Sequence, residues 1–309
     1  MVTRHDYDRL QKYYGEVPEF LQKYLDLRIL ERLKDVGMLC GIDYASHNYK
    51  YFEFYTSRYD HSFGTAMIVW KLTHDKKMTL AALFHDISTP VFSHVIDFLN
   101  GDYVNQESTE EMTEVVLNSS SVFKEHIHKD GFSLSDIADF KRYTIVDLER
   151  PKMCADRLNN VMTVGMGWIG SLDLTGAKYI VDHIGTEINS DNELELSFTD
   201  SKAAEIYINT NDSVNERLAL PEDDFLTDLL VKIVRRCVEK HYVSYEQLFF
   251  LTESEMWLII EYCAIDDKIL SEMYTTFKTI KEIPTIEVGH DLKLRKVNPL
   301  VNGRRYFSE

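Results

Sequence analysis

Along most of this chain apolar residues return to the three-and-four spacing of an α-helix, which commits it to burying helix faces against one another. From Leu21 to Val36 the positions Leu21, Tyr24, Leu25, Ile29, Leu30, Leu33 and Val36 follow that period, and Gly37 stands where a C-terminal cap belongs. The spacing predicts further helices over 60–75 and 77–88. Pro90 marks a turn, and 91–99, 106–118 and 149–163 also read as helical. The clearest amphipathic segment runs from Asp223 to Tyr242, with Phe225, Leu226, Leu229, Leu230, Ile233, Val234, Cys237 and Val238 on one face, as expected of a core helix.

The pattern changes near residue 185. Glu193-Leu194-Glu195-Leu196-Ser197-Phe198 alternates strictly after the turn-like Asn189-Ser190-Asp191-Asn192, which predicts a strand paired with the residues around Ile188. Thr285–Val288 and Leu292–Val297 are short alternating pieces that read as edge strands or a closing hairpin. The expected fold is therefore mainly α, a helical bundle with a small β appendage in its C-terminal half. No Gly/Ser-rich or Pro-rich linker interrupts the chain, so a helical core over 1–185 and a helical and hairpin region over 186–309 are expected to form one continuous globular unit.

Charge narrows the partners. The formal net charge of −17 repels polyanions, and no run of Lys and Arg offers a local patch for nucleic acid or an acidic bilayer. A small phosphorylated ligand remains compatible, because a pocket needs only two or three cations. Cys40, Cys154, Cys237 and Cys263 form no CxxC pair and read as reduced thiols. The first residues lack an apolar signal core, and no stretch approaches the roughly 18 apolar residues that cross a bilayer, so a cytoplasmic location is the expectation.

Phosphate chemistry at a metal needs imidazoles and carboxylates converging from different helices, with a coordination position left open. The chain holds Arg58-Tyr59-Asp60-His61-Ser62-Phe63-Gly64; Ala82-Leu83-Phe84-His85-Asp86-Ile87, whose histidine falls 24 positions after His61; Pro90-Val91-Phe92-Ser93-His94; and Met153-Cys154-Ala155-Asp156-Arg157-Leu158. P-loop, dinucleotide-binding and HExxH patterns are missing. In this combination the chain resembles the HD-domain phosphohydrolases, and within them the deoxynucleoside triphosphate triphosphohydrolase branch, over roughly residues 20–165.

The resemblance implies an HD-type helical core in which His61, His85, Asp86 and Asp156 bind one divalent ion, with Arg58 contacting substrate phosphate and His94 touching substrate or the attacking water. Two carboxylates and two imidazoles suit Mn, Fe, Co, Ni or Zn better than Ca, and Mg stays among the candidate ions. A bound ion would supply hydroxide near neutral pH and polarise a phosphoryl oxygen. Asp147 competes for the fourth ligand position, but Asp156 matches the family segment, and Asp147 reads instead as a cap of the following helix. Because family members often form oligomers, a homo-oligomer is among the expected assemblies.

The chain also departs from that family. Thr89 stands where the triphosphohydrolases carry histidine and HD-type 5′-nucleotidases a catalytic glutamate. Gln106-Glu107 aligns with a family His-Glu pair, so the carboxylate is kept and the histidine replaced. Asn159-Asn160 and Asp35 occupy sugar-reading positions. Thr89, Gln106, Asn160 and Asp35 thus become candidate substrate contacts, and Asp86, His94 and Glu107 the candidate catalytic groups, with either Glu107 or His94 handling the proton. Two functions follow from this set: a metal-dependent phosphohydrolase of a nucleotide or related small phosphoester, or a nucleotide-binding HD protein with a regulatory or structural role.

Overall fold

The computed structural model describes residues 3–45, 52–101, 108–283 and 295–307. Among them the fold is mainly α, with fifteen α-helices and one small four-stranded sheet. The helix Arg58–Thr73 starts at a capping box: the Ser57 hydroxyl accepts from Asp60 N, and Asp60 accepts in return from Ser57 N at 2.9 Å. It ends at His74, whose left-handed backbone turns the chain into the helix Lys76–Phe84, capped by Asp75. The helix Ala155–Val164 packs against Arg58–Thr73.

Two apolar clusters carry the fold. The larger joins Tyr7, Tyr24, Met67, Leu83, Phe84, Leu158 and Phe198, so it draws on residues from both sides of position 185. The second gathers Ile42, Val91 and Phe92 against Leu226, Leu230 and Ile233 of the helix Pro221–Glu239, together with Trp257 and Phe277. The amphipathic segment beginning near Asp223 is thus a core helix, opened by Pro221 in its first turn.

Several boundaries differ from the periodic reading. The stretch 21–36 is not one helix: Glu19–Leu25 stops at Asp26, Arg28–Glu31 restarts, and Arg32–Asp35 is a 3₁₀ turn. Leu27, Leu30, Leu33 and Val36 are all buried at an interval of three, which a 3₁₀ turn keeps on one face and a longer α-helix would rotate away. Gly37 is no helix cap; it makes an isolated bridge with Ser57. The segment 149–163 becomes helical only at Ala155, because Pro151 has no N–H to give a helix interior. Over 91–99 the α-helix is confined to Val95–Leu99, since Phe92 and Ser93 hold positive φ. Of 106–118, the described part comprises a 3₁₀ turn at Ser108–Glu110 and the helix Thr113–Ser119.

In the sheet, β1 (Ile184–Ile188) and β2 (Leu194–Phe198) form the expected antiparallel hairpin. β3 (Leu300–Val301) runs parallel to β2, and β4 (Arg304–Arg305) folds back on it through Asn302 and Gly303, both left-handed as a two-residue hairpin turn requires. Thr285–Val288 and the first half of Leu292–Val297 lie outside the described residues, and 295–297, which are described, form no strand. Among the described residues no helix is long and apolar enough to cross a membrane.

Candidate metal centre

Four side chains from three separate segments, His61, the adjacent His85 and Asp86, and Asp156, meet near the Arg58–Thr73, Lys76–Phe84 and Ala155–Val164 helices. His61 Nε2 lies 2.9 Å from Asp156 Oδ1 and 3.2 Å from His85 Nε2. Asp86 Oδ2 is 3.8 Å from His61 Nε2 and 3.9 Å from His85 Nε2, and Asp156 Oδ1 is 3.5 Å from His85 Nε2.

The outer hydrogen bonds fix which nitrogens face this point. His85 Nδ1 donates to the Ala82 carbonyl at 2.7 Å, and His61 Nδ1 donates to Asn159 Oδ1 at 2.9 Å. Both rings therefore present the lone pair of Nε2 inward, the tautomer a metal ligand needs. Asn159 is held in turn by Thr163, whose hydroxyl donates to Oδ1, and by Tyr14, whose hydroxyl accepts from Nδ2. Gly64 makes room for it: a Cβ there would collide with the Asn159 amide.

Two lone-pair nitrogens and two carboxylates this close repel unless a cation or a proton sits among them. In the metal-free protein a proton serves. Burial opposes charge on His85, but Asp86 and Asp156 outweigh it and bring its pKa up to about 9. Burial likewise opposes ionisation of Asp86, and Arg58 with the two histidines outweighs it, so the carboxylate stays ionised well below the usual range. The donor set fits a borderline divalent ion.

These groups open into a cavity of about 270 Å³ whose lining includes Arg58, His85, Asp86, His94, Asp156 and Asn160. Arg58 is buried, with Nη1 at 2.9 Å from Asp86 Oδ2 and Nε donating to Ser93 Oγ at 3.2 Å. His94 follows the two left-handed residues Phe92 and Ser93, and its Nδ1 donates to the fully buried Asp97 at 2.8 Å. Burial lowers the His94 pKa against the pull of Asp97, which leaves a neutral imidazole at the cavity wall. Backbone held in sparsely populated conformations beside a charged cavity is a common mark of a functional site.

Other candidates lie elsewhere. Asp35 accepts from Ser254 N and Oγ and is not part of the cavity lining. Thr89 is also absent from the lining; its carbonyl accepts from Arg32, and its hydroxyl is buried with no partner among the described residues. Gln106 and Glu107 lie outside the described residues.

Asp147 does not cap the helix Ala155–Val164, whose start at Cys154 has no side-chain cap. It lines the cavity instead, and its ligand atom lies within 4.8 Å of those of Cys154 and Asp156. Burial and the nearby Asp156 charge raise its pKa. Sequence reasoning also passed over Asn159 as a partner of His61, and Asp97, Glu110, Arg150, Trp168 and Arg295. The i,i+3 spacings Asp156–Asn159 and His94–Asp97 were the available signals for two of them.

No family model matches the chain. Over 129 residues it is 27% identical to the uncharacterized protein YdhJ of Bacillus subtilis, an alignment covering 41% of this chain and 39% of that protein. The chain thus spans about two fifths of that relative's length. Over 251 residues it is 22% identical to the metal-dependent phosphohydrolase cns2 of Cordyceps militaris, covering 79% of this chain and 70% of the other. A crystal structure of a hypothetical protein from Aquifex aeolicus matches with a TM-score of 0.59 at 17% identity, over 84% of this chain and 71% of that one, a likeness of fold. The chain is thus distantly similar to a protein described as a metal-dependent phosphohydrolase, and it brings ligand atoms of His61, His85 and Asp86 within 4.8 Å of one another.

Proposed function

We propose that the protein is an HD-type, metal-dependent phosphohydrolase acting on a small phosphoester, with a nucleotide as the leading substrate class. The observation that carries this reading is the inward aim of His61 and His85, their Nε2 atoms 3.2 Å apart beside Asp86 and Asp156 in the wall of a cavity. A divalent ion held by these four would polarise a phosphoryl oxygen and lower the pKa of water. Arg58 would bind a phosphate oxygen from its place beside Asp86, and neutral His94, oriented by Asp97, would take or return the proton. Asn160 is the candidate substrate contact of the Asn159-Asn160 pair, because Asn159 is committed to His61 and Tyr14.

A substrate of the deoxynucleoside triphosphate kind, an oligomeric assembly and a cytoplasmic setting belong to the same proposal. One observation favours the second reading, a nucleotide-binding protein with little catalysis: Thr89 brings no acid or base where the resembling enzymes carry one, and its hydroxyl is buried without a partner among the described residues. A phosphate- and triphosphate-release screen over nucleoside mono- and triphosphates with Mn, Co, Ni and Mg separates the two. Turnover that disappears in Asp86→Ala supports the enzyme. Nucleotide binding without release of either product supports the regulator.

A further inference from the structure

The cavity has a second pole. Asp156, Asn160, Val161, Val164 and Trp168 all line it, following one face of a continuous helical stretch away from the histidines. The eight steps from Asp156 to Val164 carry that face roughly 12 Å along the axis. Beyond Val164 the backbone changes to a π-helical turn, Gly165–Ile169, closed by left-handed Gly170. Such turns break the regular spacing of side chains and are frequent at functional sites. Gly167 has no room for a side chain, since a Cβ would sit 2.8 Å from Thr56 Cγ2, so the turn is fitted closely to its neighbours.

At this end Met38, Val164, Trp168 and Val214 form an apolar cluster separate from the two main cores, and all four line the cavity. Each is 4–7% exposed. The Arg217 guanidinium lies over the Trp168 ring, 4.9 Å from its centroid, and is itself paired with Asp223 at 2.9 Å. With one face covered by a cation fixed in this way, the indole can offer only its other face or its edge to the cavity.

A phosphate held beside His61 and Asp86 cannot also reach Trp168, so whatever fills both poles has a body beyond its phosphate. We infer that Trp168 is the specificity-determining residue of this cavity, the platform on which a flat, uncharged ring on the alcohol side of a phosphate ester stacks. The inference rests on the phosphoester reading of the metal pole. A flat ring suits a wall of one indole, one methionine and two valines, and a cationic ring would meet the Arg217 guanidinium across the indole.

The test is calorimetric binding of two non-hydrolysable probes, 4-nitrophenylphosphonate and methylphosphonate, to the Mn-loaded full chain. Wild type is expected to bind the ring-bearing probe about 10-fold more tightly or better. Trp168→Ala should erase that preference and leave methylphosphonate affinity unchanged, while Trp168→Phe should keep most of it. Should Trp168→Ala fail to fold, fluorescence decides: the nitroaryl probe should quench wild-type emission, and Trp168→Phe should remove that quench although Trp70 and Trp257 remain. Equal affinities for the two probes in wild type, or a preference or quench that survives replacement of Trp168, would overturn the role of Trp168 and leave the metal pole standing. If neither probe binds and Asp86→Ala behaves like wild type, the phosphoester reading fails and this inference falls with it.

Discussion

Gly64 and Asn159 meet across two packed helices with no space for a Cβ between them, and the contact decides how His61 is aimed. A methyl group at 64 would push against the Asn159 amide, which is buried and engaged by His61, Thr163 and Tyr14. Gly64→Ala is therefore expected to weaken metal affinity by about 10- to 100-fold, the usual cost of disturbing an outer-shell partner. Helix content should change little. Titration with Mn alongside circular dichroism checks it, and a wild-type affinity would remove Asn159 from the account.

Arg58→Ala should separate substrate binding from metal binding. The variant is expected to keep its ion, because the ion takes over the charge balance of Asp86, and to raise KM about 10- to 100-fold through loss of a charge-assisted contact. Elemental analysis with steady-state kinetics reads both. An unchanged KM would mean that Arg58 serves only as the partner of Asp86.

The His94–Asp97 pair predicts a movement of the acid limb of the rate profile. Burial holds His94 below 6.5, while the Asp97 carboxylate pulls the other way. Neutralising that carboxylate in Asp97→Asn lowers the His94 pKa further, so the limb below which kcat/KM falls should shift to lower pH with metal content unchanged. A limb that stays in place would show that His94 does not carry the titration.

His85 makes the stability of the metal-free protein depend on pH. Its pKa rises from 6.5 to about 9 on folding, so the stabilisation is complete below about pH 6.5 and is lost as pH climbs through about 9. In EDTA the gap in thermal midpoint between wild type and His85→Gln should close over that window. With the ion bound His85 is neutral, and this contribution to the pH dependence should vanish.

How much of this was legible depended on whether a contact is local. Helix periodicity located the Arg58–Thr73 helix and the core face near Leu226 and Leu230, because one buried stripe repeats within a single element. It misjudged 21–36, where the interval of three from Leu27 to Val36 suits a 3₁₀ turn, and 91–99, where Phe92 and Ser93 leave helical conformation before His94. His61, His85, Asp86 and Asp156 were nameable because each sits in a short motif, and the helices bring them together. Arg150, Trp168 and Arg295 carry no such motif. They reach the cavity only through the packing of distant segments, which no spacing within one segment encodes.

The central claim is that His61, His85, Asp86 and Asp156 hold a single divalent ion. Its most direct test is metal stoichiometry, by elemental analysis of wild type and Asp86→Ala after identical loading with Mn and desalting. The account predicts one ion per chain in wild type and a near-complete loss in Asp86→Ala, with helix content preserved. One ion per chain in both proteins would contradict it.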